Sequence, residues 1–159
     1  MAAVTTLPAA FVANTVLTAD QMNNLRGAFR VLQVVNAVYS TETTTTSGSY
    51  VTSGLTASIT PSSTSSKIYA IATGAIGNTG AGYIRVTLFR GTVAGTNLAP
   101  DYLTNTYNLN PLPFAVNALD SPNTTSATTY TLAMKVTAAT GYIQSGSATS
   151  SLTLMEISA

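Results

Sequence analysis

From residue 31 onward, apolar and polar residues alternate in short stretches, which is the period of β-strands. The clearest stretch, 83–90, predicts a strand with Ile84, Val86 and Leu88 directed inward. Similar stretches lie at 50–53, 55–60, 67–73, 114–119, 129–136 and 152–157. Because no helical pattern separates them, the sequence predicts an all-β fold, an antiparallel β-sandwich. A jelly roll is the first choice among sandwiches.

Three stretches depart from simple alternation. Residues 31–39 form a nearly continuous apolar run, which predicts a strand covered on both faces. Residues 74–82 contain four glycines, which predicts a loop or a bulged link rather than a regular strand. The order of apolar residues in 152–157 predicts a change of face near Met155, as a bulge would produce.

Residues 1–17 carry large apolar side chains without a clear period, and Pro8 favours an extended arm. Residues 18–21, Thr-Ala-Asp-Gln, form a capping box and predict a short helix over about 19–29. A helix of this length is marginal alone in water, so it must pack against something. Its own β domain, a seam around a threefold axis and a docking site on a larger particle all remain open.

The chain therefore divides into residues 1–30, an arm and short helix for anchoring or assembly, and residues 31–159, a β-sandwich domain. The candidate anchor residues are the large apolar side chains of the first part. They are Leu7, Phe11, Val12, Leu17, Met22, Leu25 and Phe29.

Residues 91–127 are the least regular part of the chain and contain four prolines. Long ordered loops often carry function, so the loops over 97–123 are a candidate binding surface. Tyr102, Tyr107 and Phe114 are its candidate contact residues, because aromatic rings stack on sugars. A carbohydrate-binding module is thus one alternative function, although such aromatic residues also fill cores and interfaces.

Charged residues make up only 7% of the chain, and 29 Thr and 16 Ser supply its polarity instead. The six Lys and Arg are spread from end to end, so no basic stripe is available for nucleic acid. No apolar run approaches the roughly 18 residues that cross a bilayer, which argues against membrane insertion. No basic residue precedes the apolar stretch 7–17, so a secretory signal fits poorly and we expect a cytoplasmic protein until assembly.

The chain contains neither His nor Cys, which removes the commonest general base and the commonest metal ligands. Asp101 and Asp120 lie in the same irregular region, and folding could pair them for glycoside hydrolysis or, with nearby Asn, for calcium. No ligand spacing supports either idea. We therefore expect a non-enzymatic protein without cofactor or metal.

Leu17-Thr-Ala-Asp-Gln-Met-Asn-Asn-Leu25 is followed by the apolar run 31–35 and then by 54–68, Gly-Leu-Thr-Ala-Ser-Ile-Thr-Pro-Ser-Ser-Thr-Ser-Ser-Lys-Ile. Taken together, these segments resemble structural proteins of tailed bacteriophages, including those of cyanophages. The resemblance covers residues 15–70 and brings no functional residue with it. It implies a trimeric, β-rich component of the virion, assembled in the host cytoplasm and anchored by its N-terminal part.

The expected partners are other copies of the chain and either the major capsid protein or tail proteins. A chain of 159 residues has no room for a long fibre shaft. We therefore expect a capsid decoration, or cement, protein that stabilises the head by burying area. The alternative is a short tail-fibre or tail-tip protein that contacts host surface glycans.

Overall fold

The computed structural model describes residues 30–99, 102–105 and 111–158. Within these ranges the chain forms eleven strands and one 3-10 turn at Ser145–Ser147. The strands are β1 (Val31–Tyr39), β2 (Thr43–Thr45), β3 (Val51–Ile59), β4 (Lys67–Asn78), β5 (Tyr83–Arg90), β6 (Thr96–Asn97), β7 (Tyr102–Asn105), β8 (Leu112–Asp120), β9 (Thr128–Val136), β10 (Gly141–Ile143) and β11 (Ser150–Ile157).

The strands form two antiparallel sheets, each four strands wide. In sheet A, β4 pairs with β8 on one side and with β11 and β10, placed end to end, on the other. The far edge of sheet A consists of β1 beside β11 and β2 beside β10. In sheet B the order is β3, β9, β5, and then β6 and β7 along the outer edge of β5.

The pairing follows a single rule along the described chain. The first strand pairs with the last, β3 with β9, β4 with β8, and β5 with β7 near the middle. The chain is thus a long hairpin rolled up into two facing sheets, which is the path of a jelly roll. The predicted jelly-roll β-sandwich is confirmed.

The core lies between the inner faces of the two sheets. Ile84, Val86 and Leu88 of β5 are fully buried, as their alternation predicted. Facing them, Ile68, Ala70 and Ala72 of β4 are equally inaccessible. Since every second residue of each long strand points into this layer, the opposite set of residues forms the two outer faces.

The prediction of a loop or a bulged link over 74–82 is wrong for its first half, because β4 continues through Gly74 and Gly77 to Asn78. A Cβ atom on Gly77 would collide with the ring and hydroxyl of Tyr142, which cover that position. A Cβ atom on Gly74 would collide with the hydroxyl oxygen of Ser150. These glycines therefore serve close packing within a strand rather than a turn.

The predicted change of face near Met155 is also wrong. Buried and partly exposed residues alternate strictly along β11, with Met155 on the outer face and Glu156 fully buried on the inner face. The alternation of apolar residues in the sequence is interrupted because Glu156, a carboxylate, occupies an inward position of β11. The register irregularity lies on the partner strand, between Val31 and Gln33 of β1.

Gly54 lies where β3 changes its register with β9, and its φ is +86°. A Cβ atom there would lie 2.5 Å from the ring of Tyr39. We expect Gly54→Ala to lower the free energy of unfolding by about 2 kcal/mol, because it adds left-handed strain and a collision. Urea denaturation would measure the loss.

Gly91 provides a matched control for this prediction. Its φ is +83°, but no neighbouring atom lies within 4 Å of a Cβ built on it. Gly91→Ala should therefore cost only the backbone strain, about 1 kcal/mol. Equal losses in the two variants would contradict a role for the contact between Gly54 and Tyr39.

Candidate interaction surface

The outer face of sheet A carries an apolar row that crosses all four strands. Val34 of β1 pairs with Met155 of β11, Met155 with Tyr69 of β4, and Tyr69 with Leu119 of β8. The two ends of the row are strongly exposed, Val34 by 58% and Leu119 by 62%. Tyr69 and Met155 are partly exposed.

Two further rows run parallel to the first and are neutral. The second contains Ile71 of β4 between Thr153 and Asn117, with Asn36 at its β1 end. Within this row the amide of Asn36 donates a hydrogen bond to the hydroxyl of Thr153 at 2.8 Å. The third row is Val38, Ser151, Thr73 and Ala115. We call these three rows the outer face of sheet A.

The exposed side of β1 corrects one expectation from the sequence. The apolar run 31–39 predicted a strand covered on both faces, yet Val34 and Val38 on its outer side are 58% and 65% exposed. Only the inner side, with Val35, Ala37 and Tyr39, packs against the core. The outer side is thus apolar without a covering element among the described residues.

The outer face of sheet B has a different character. Exposed hydroxyl residues such as Thr56 and Ser58 line β3, and Thr129 lines β9. Phe89 is almost completely buried there beneath Tyr50, with the two ring centroids 5.4 Å apart in an edge-to-face arrangement. This face therefore carries many hydroxyl groups, together with Arg85 and Lys135 on the paired strands β5 and β9.

A shallow depression of about 230 Å³ lies on the outer face of sheet B. It is lined by Thr52, Thr56, Thr92, Val93 and Thr131. Ligand pockets usually enclose roughly 300–1,000 Å³ and combine apolar walls with convergent polar groups. This depression is smaller and contains no aromatic or charged side chain.

The predicted binding loops over 97–123 are only partly described. Tyr102 lies in β7, where its backbone pairs with that of Val86 in β5. Tyr107 lies outside the described residues. Phe114 lies within β8, and its side chain is buried in the core at 4% exposure. The prediction that Phe114 is a contact residue of a surface loop is therefore wrong. Every second side chain of β8 points into the core, and Phe114 is one of them.

The predicted anchor and the helix over 19–29 lie outside the described residues. The same holds for the seven candidate anchor residues Leu7, Phe11, Val12, Leu17, Met22, Leu25 and Phe29. The described chain begins at Arg30, whose carbonyl accepts a hydrogen bond from the amide of Ser158 at 3.0 Å. Arg30 thus lies directly before β1, beside the end of β11.

Glu156 is a fully buried carboxylate of β11 that ties β1 and the turn between β3 and β4 to its own strand. Its Oε1 accepts hydrogen bonds from the amide and hydroxyl of Ser62 at 2.7 and 2.6 Å, and its Oε2 accepts one from Gln33 at 2.6 Å. Burial alone would raise the pKa of Glu156, but the hydrogen bonds from Ser62 and Gln33 outweigh it and lower that pKa to about 2.

Asp120 forms a second polar cluster, which connects the two sheets at one end of the sandwich. Its carboxylate accepts hydrogen bonds from the Arg90 guanidinium at 3.0 Å and from the Tyr130 hydroxyl at 2.8 Å. Burial, together with the hydrogen bond to Asp120, raises the pKa of Tyr130. The three side chains satisfy one another's hydrogen-bonding groups, and their contacts join the two sheets.

This arrangement leaves Asp120 poorly suited to the glycosidase or calcium pair considered from the sequence. Its oxygens are occupied by Arg90 and Tyr130, and Asp101 lies outside the described residues. In the described part of the chain, no three metal-ligating side chains come together. Over the same residues, no helix has the length and apolar character needed to span a bilayer.

No family model matches the chain, and no curated protein matches it in sequence. Its fold does match solved structures. VP2 in the subviral particle of infectious bursal disease virus superposes on 77% of this chain with a TM-score of 0.51 and 11% identity. The match spans 32% of the VP2 chain, so this chain corresponds to about a third of it.

Two weaker superpositions accompany it. A structure of the Gx strain of infectious bursal disease virus matches 79% of this chain and 40% of its own, with a TM-score of 0.43 and 11% identity. The disulfide-linked pili of Bacillus endospore appendages match 79% of this chain and 93% of theirs, with a TM-score of 0.36 and 19% identity. Because so few residues are identical, the likeness to VP2 concerns the fold alone.

Proposed function

We propose that this chain is a non-enzymatic structural protein of a virus particle. More specifically, it is a trimeric decoration protein on the head of a tailed bacteriophage, bound there through residues 1–30. The observation that carries the proposal is the neutral, apolar outer face of sheet A, from Val34 across to Leu119. Such a face is suited to burial against protein, because it gains by losing water and offers no group for chemistry.

The fold and the use of the acidic residues support the same function. The fold is shared with VP2, which forms a subviral particle. Glu156 and Asp120, the two acids in strands among the described residues, are buried and engaged in structural hydrogen bonds. The mechanism is burial of area, and long-lived interfaces of this type commonly bury more than about 2,000 Å².

Deleting residues 1–17 is expected to reduce binding to purified heads at least tenfold. The deletion removes four of the candidate anchor residues, Leu7, Phe11, Val12 and Leu17, and leaves the strands intact. Heads stripped of the protein would be mixed with wild-type or shortened protein and sedimented together. Undiminished sedimentation of the shortened protein would refute anchoring by this segment.

A double variant, Tyr102→Ala with Tyr107→Ala, serves as the control and separates the alternative function. It leaves residues 1–30 unchanged and should sediment with heads as the wild type does. If the chain is instead a tail-tip protein that contacts host glycans, neither protein binds heads, and the double variant loses binding to host cell-surface polysaccharide. Cryo-electron microscopy of the virion would then locate the chain on the tail rather than on the icosahedral shell.

A further inference from the structure

The row of strands beside β4 in sheet A is interrupted between β10 and β11. β10 pairs with the last residues of β4 and β11 with the earlier ones, so both strands belong to one row. Between the two ladders, Gln144 donates its backbone amide hydrogen to the carbonyl of Ala75 at 3.4 Å. Residues 145–149 then leave the row, and β11 begins at Ser150. We call this interruption the break in sheet A.

Unpaired polar atoms concentrate at the break. Among the residues that the structure describes, five buried side-chain nitrogen or oxygen atoms have no hydrogen-bond partner in the protein, and four of them belong to residues 142–150. These four are the amide oxygen and nitrogen of Gln144 and the hydroxyls of Tyr142 and Ser150. The fifth is the hydroxyl of Ser66, in the turn between β3 and β4. Because buried polar groups in native proteins nearly always have a partner, a cluster of four calls for one.

Gln144 is the centre of this cluster. Its side chain is 1% exposed, yet neither amide atom has a partner in the protein. Its backbone φ is +59°, a left-handed conformation that is strained for a residue with a Cβ atom. Backbone strain and an unpaired buried amide both lower stability, and glycine at this position would avoid both. A partner that bonds the amide therefore accounts for glutamine in the break.

Tyr142 and Ser150 lie before and after Gln144 along the row. The ring and hydroxyl of Tyr142 cover Gly77 of β4, and the hydroxyl of Ser150 packs against Gly74. Gln144 bonds the backbone of β4 between these two glycines. Because successive residues of a strand are about 3.3 Å apart, the three side chains start within about 10 Å of one another along β4. One or two water molecules can bridge polar groups at that spacing, since each hydrogen bond spans about 2.8 Å.

The chemistry of these groups selects the ligand. The Gln144 amide both donates and accepts hydrogen bonds, as do the two hydroxyls, and none of the three side chains is charged. An anion would face the amide oxygen, and in the described part of the chain no three metal-ligating side chains come together to hold a cation. Because Gln144 and Tyr142 are inaccessible, at 1% and 6% exposure, a larger ligand would have to open the sheet. Water is small and neutral, and a buried water typically makes about three hydrogen bonds.

We infer that the break in sheet A is a water-binding site, in which ordered water bonds both atoms of the Gln144 amide and the hydroxyls of Tyr142 and Ser150. This water replaces the ladder bonds that β4 lacks where β10 and β11 separate. It is thus part of what holds the two strands in one row. The site does not depend on the proposed function, and its test needs neither phage heads nor host cells.

Nuclear magnetic resonance of the full chain tests the site directly. The side-chain amide protons of Gln144 should show cross-relaxation with water of the sign that a bound molecule gives. Asn78 is the matched control, because it is 0% exposed but its amide bonds the Ala138 carbonyl at 3.0 Å and the Gly80 amide at 3.4 Å. Its protons should show no such signal. Absence of the signal at Gln144, or an equal signal at Asn78, would overturn the inference.

Thermal unfolding supplies a second test, whose sign is decisive. Gln144→Met keeps the length of the side chain but removes the amide, so bound water loses two partners and the melting temperature should fall by roughly 5 °C. Tyr142→Phe should lower it by roughly 2 °C, whereas Tyr83→Phe, at a residue 42% exposed, should leave it unchanged. If the amide and hydroxyl were dry and unpaired, both replacements in the break would raise the melting temperature. Such a rise would overturn the inference.

Discussion

Replacing Asp120 by Ala is expected to lower the free energy of unfolding by about 3 kcal/mol, because it removes the common acceptor of a buried cluster. The Arg90 side chain, 32% exposed, would regain some hydration, which moderates the loss. The Tyr130 hydroxyl cannot regain hydration in this way, because Tyr130 is fully buried. Guanidinium denaturation followed by circular dichroism would measure the change.

Two controls separate the cluster from general effects of charge. Asp120→Asn keeps the shape of the side chain and an acceptor for Tyr130, so the loss should fall to about 1 kcal/mol. Glu42→Gln alters an exposed acid that follows β1 and should change stability by less than about 0.5 kcal/mol. An Asp120→Ala variant as stable as Glu42→Gln would contradict the view that the cluster joins the two sheets.

Acid is expected to destabilise the fold through Glu156. The pKa of this carboxyl falls from 4.5 when exposed to about 2 in the folded chain. Because the folded pKa is the lower one, the carboxylate stabilises the fold fully above about pH 5 and loses that contribution as the pH falls towards 2. At about 1.4 kcal/mol for each unit of pKa difference, the loss amounts to roughly 3 kcal/mol.

The test is a series of denaturation curves between pH 7 and pH 2. In Glu156→Gln the side chain no longer titrates, so the acid-dependent loss should shrink by most of its size. The variant should also be less stable at pH 7, because its amide presents donors where Gln33 donates. An unchanged pH profile in Glu156→Gln would show that other groups cause the acid sensitivity, and Glu42→Gln should retain the wild-type profile.

The long strands were predictable from the sequence because packing between two sheets imposes a period of two on every one of them. β5 and β9 follow that period almost without exception, and their bounds were predicted to the nearest position or one away. The short strand β6 was not predicted, and the stretch 42–49, which contains β2, was predicted only as a loop or an edge strand. Both short strands consist of Thr and Asn residues, and pairing with neighbouring strands, rather than their own pattern, makes them strands.

The outer face of sheet A was only half predictable. The run 31–39 indicated that β1 has apolar residues on both sides, and this was the part of the outer face that could be predicted from the sequence. The other members of the row, such as Tyr69 and Leu119, come from distant parts of the chain, and the register that aligns them with Val34 exists only in the fold. Glu156 was missed for the same reason, because Ser62 and Gln33 meet it from a turn and from another strand.

The position of β11 bears on how the chain folds during synthesis. This strand is the last of those described, yet it lies between β1 and β4 in sheet A. Sheet A therefore cannot close until residues 150–157 have left the ribosome, and β1 lacks its partner strand until then. Pairing between such distant segments is slow, and unpaired apolar strands aggregate meanwhile. We expect soluble yield to depend on the rate of translation and on early association with chaperones.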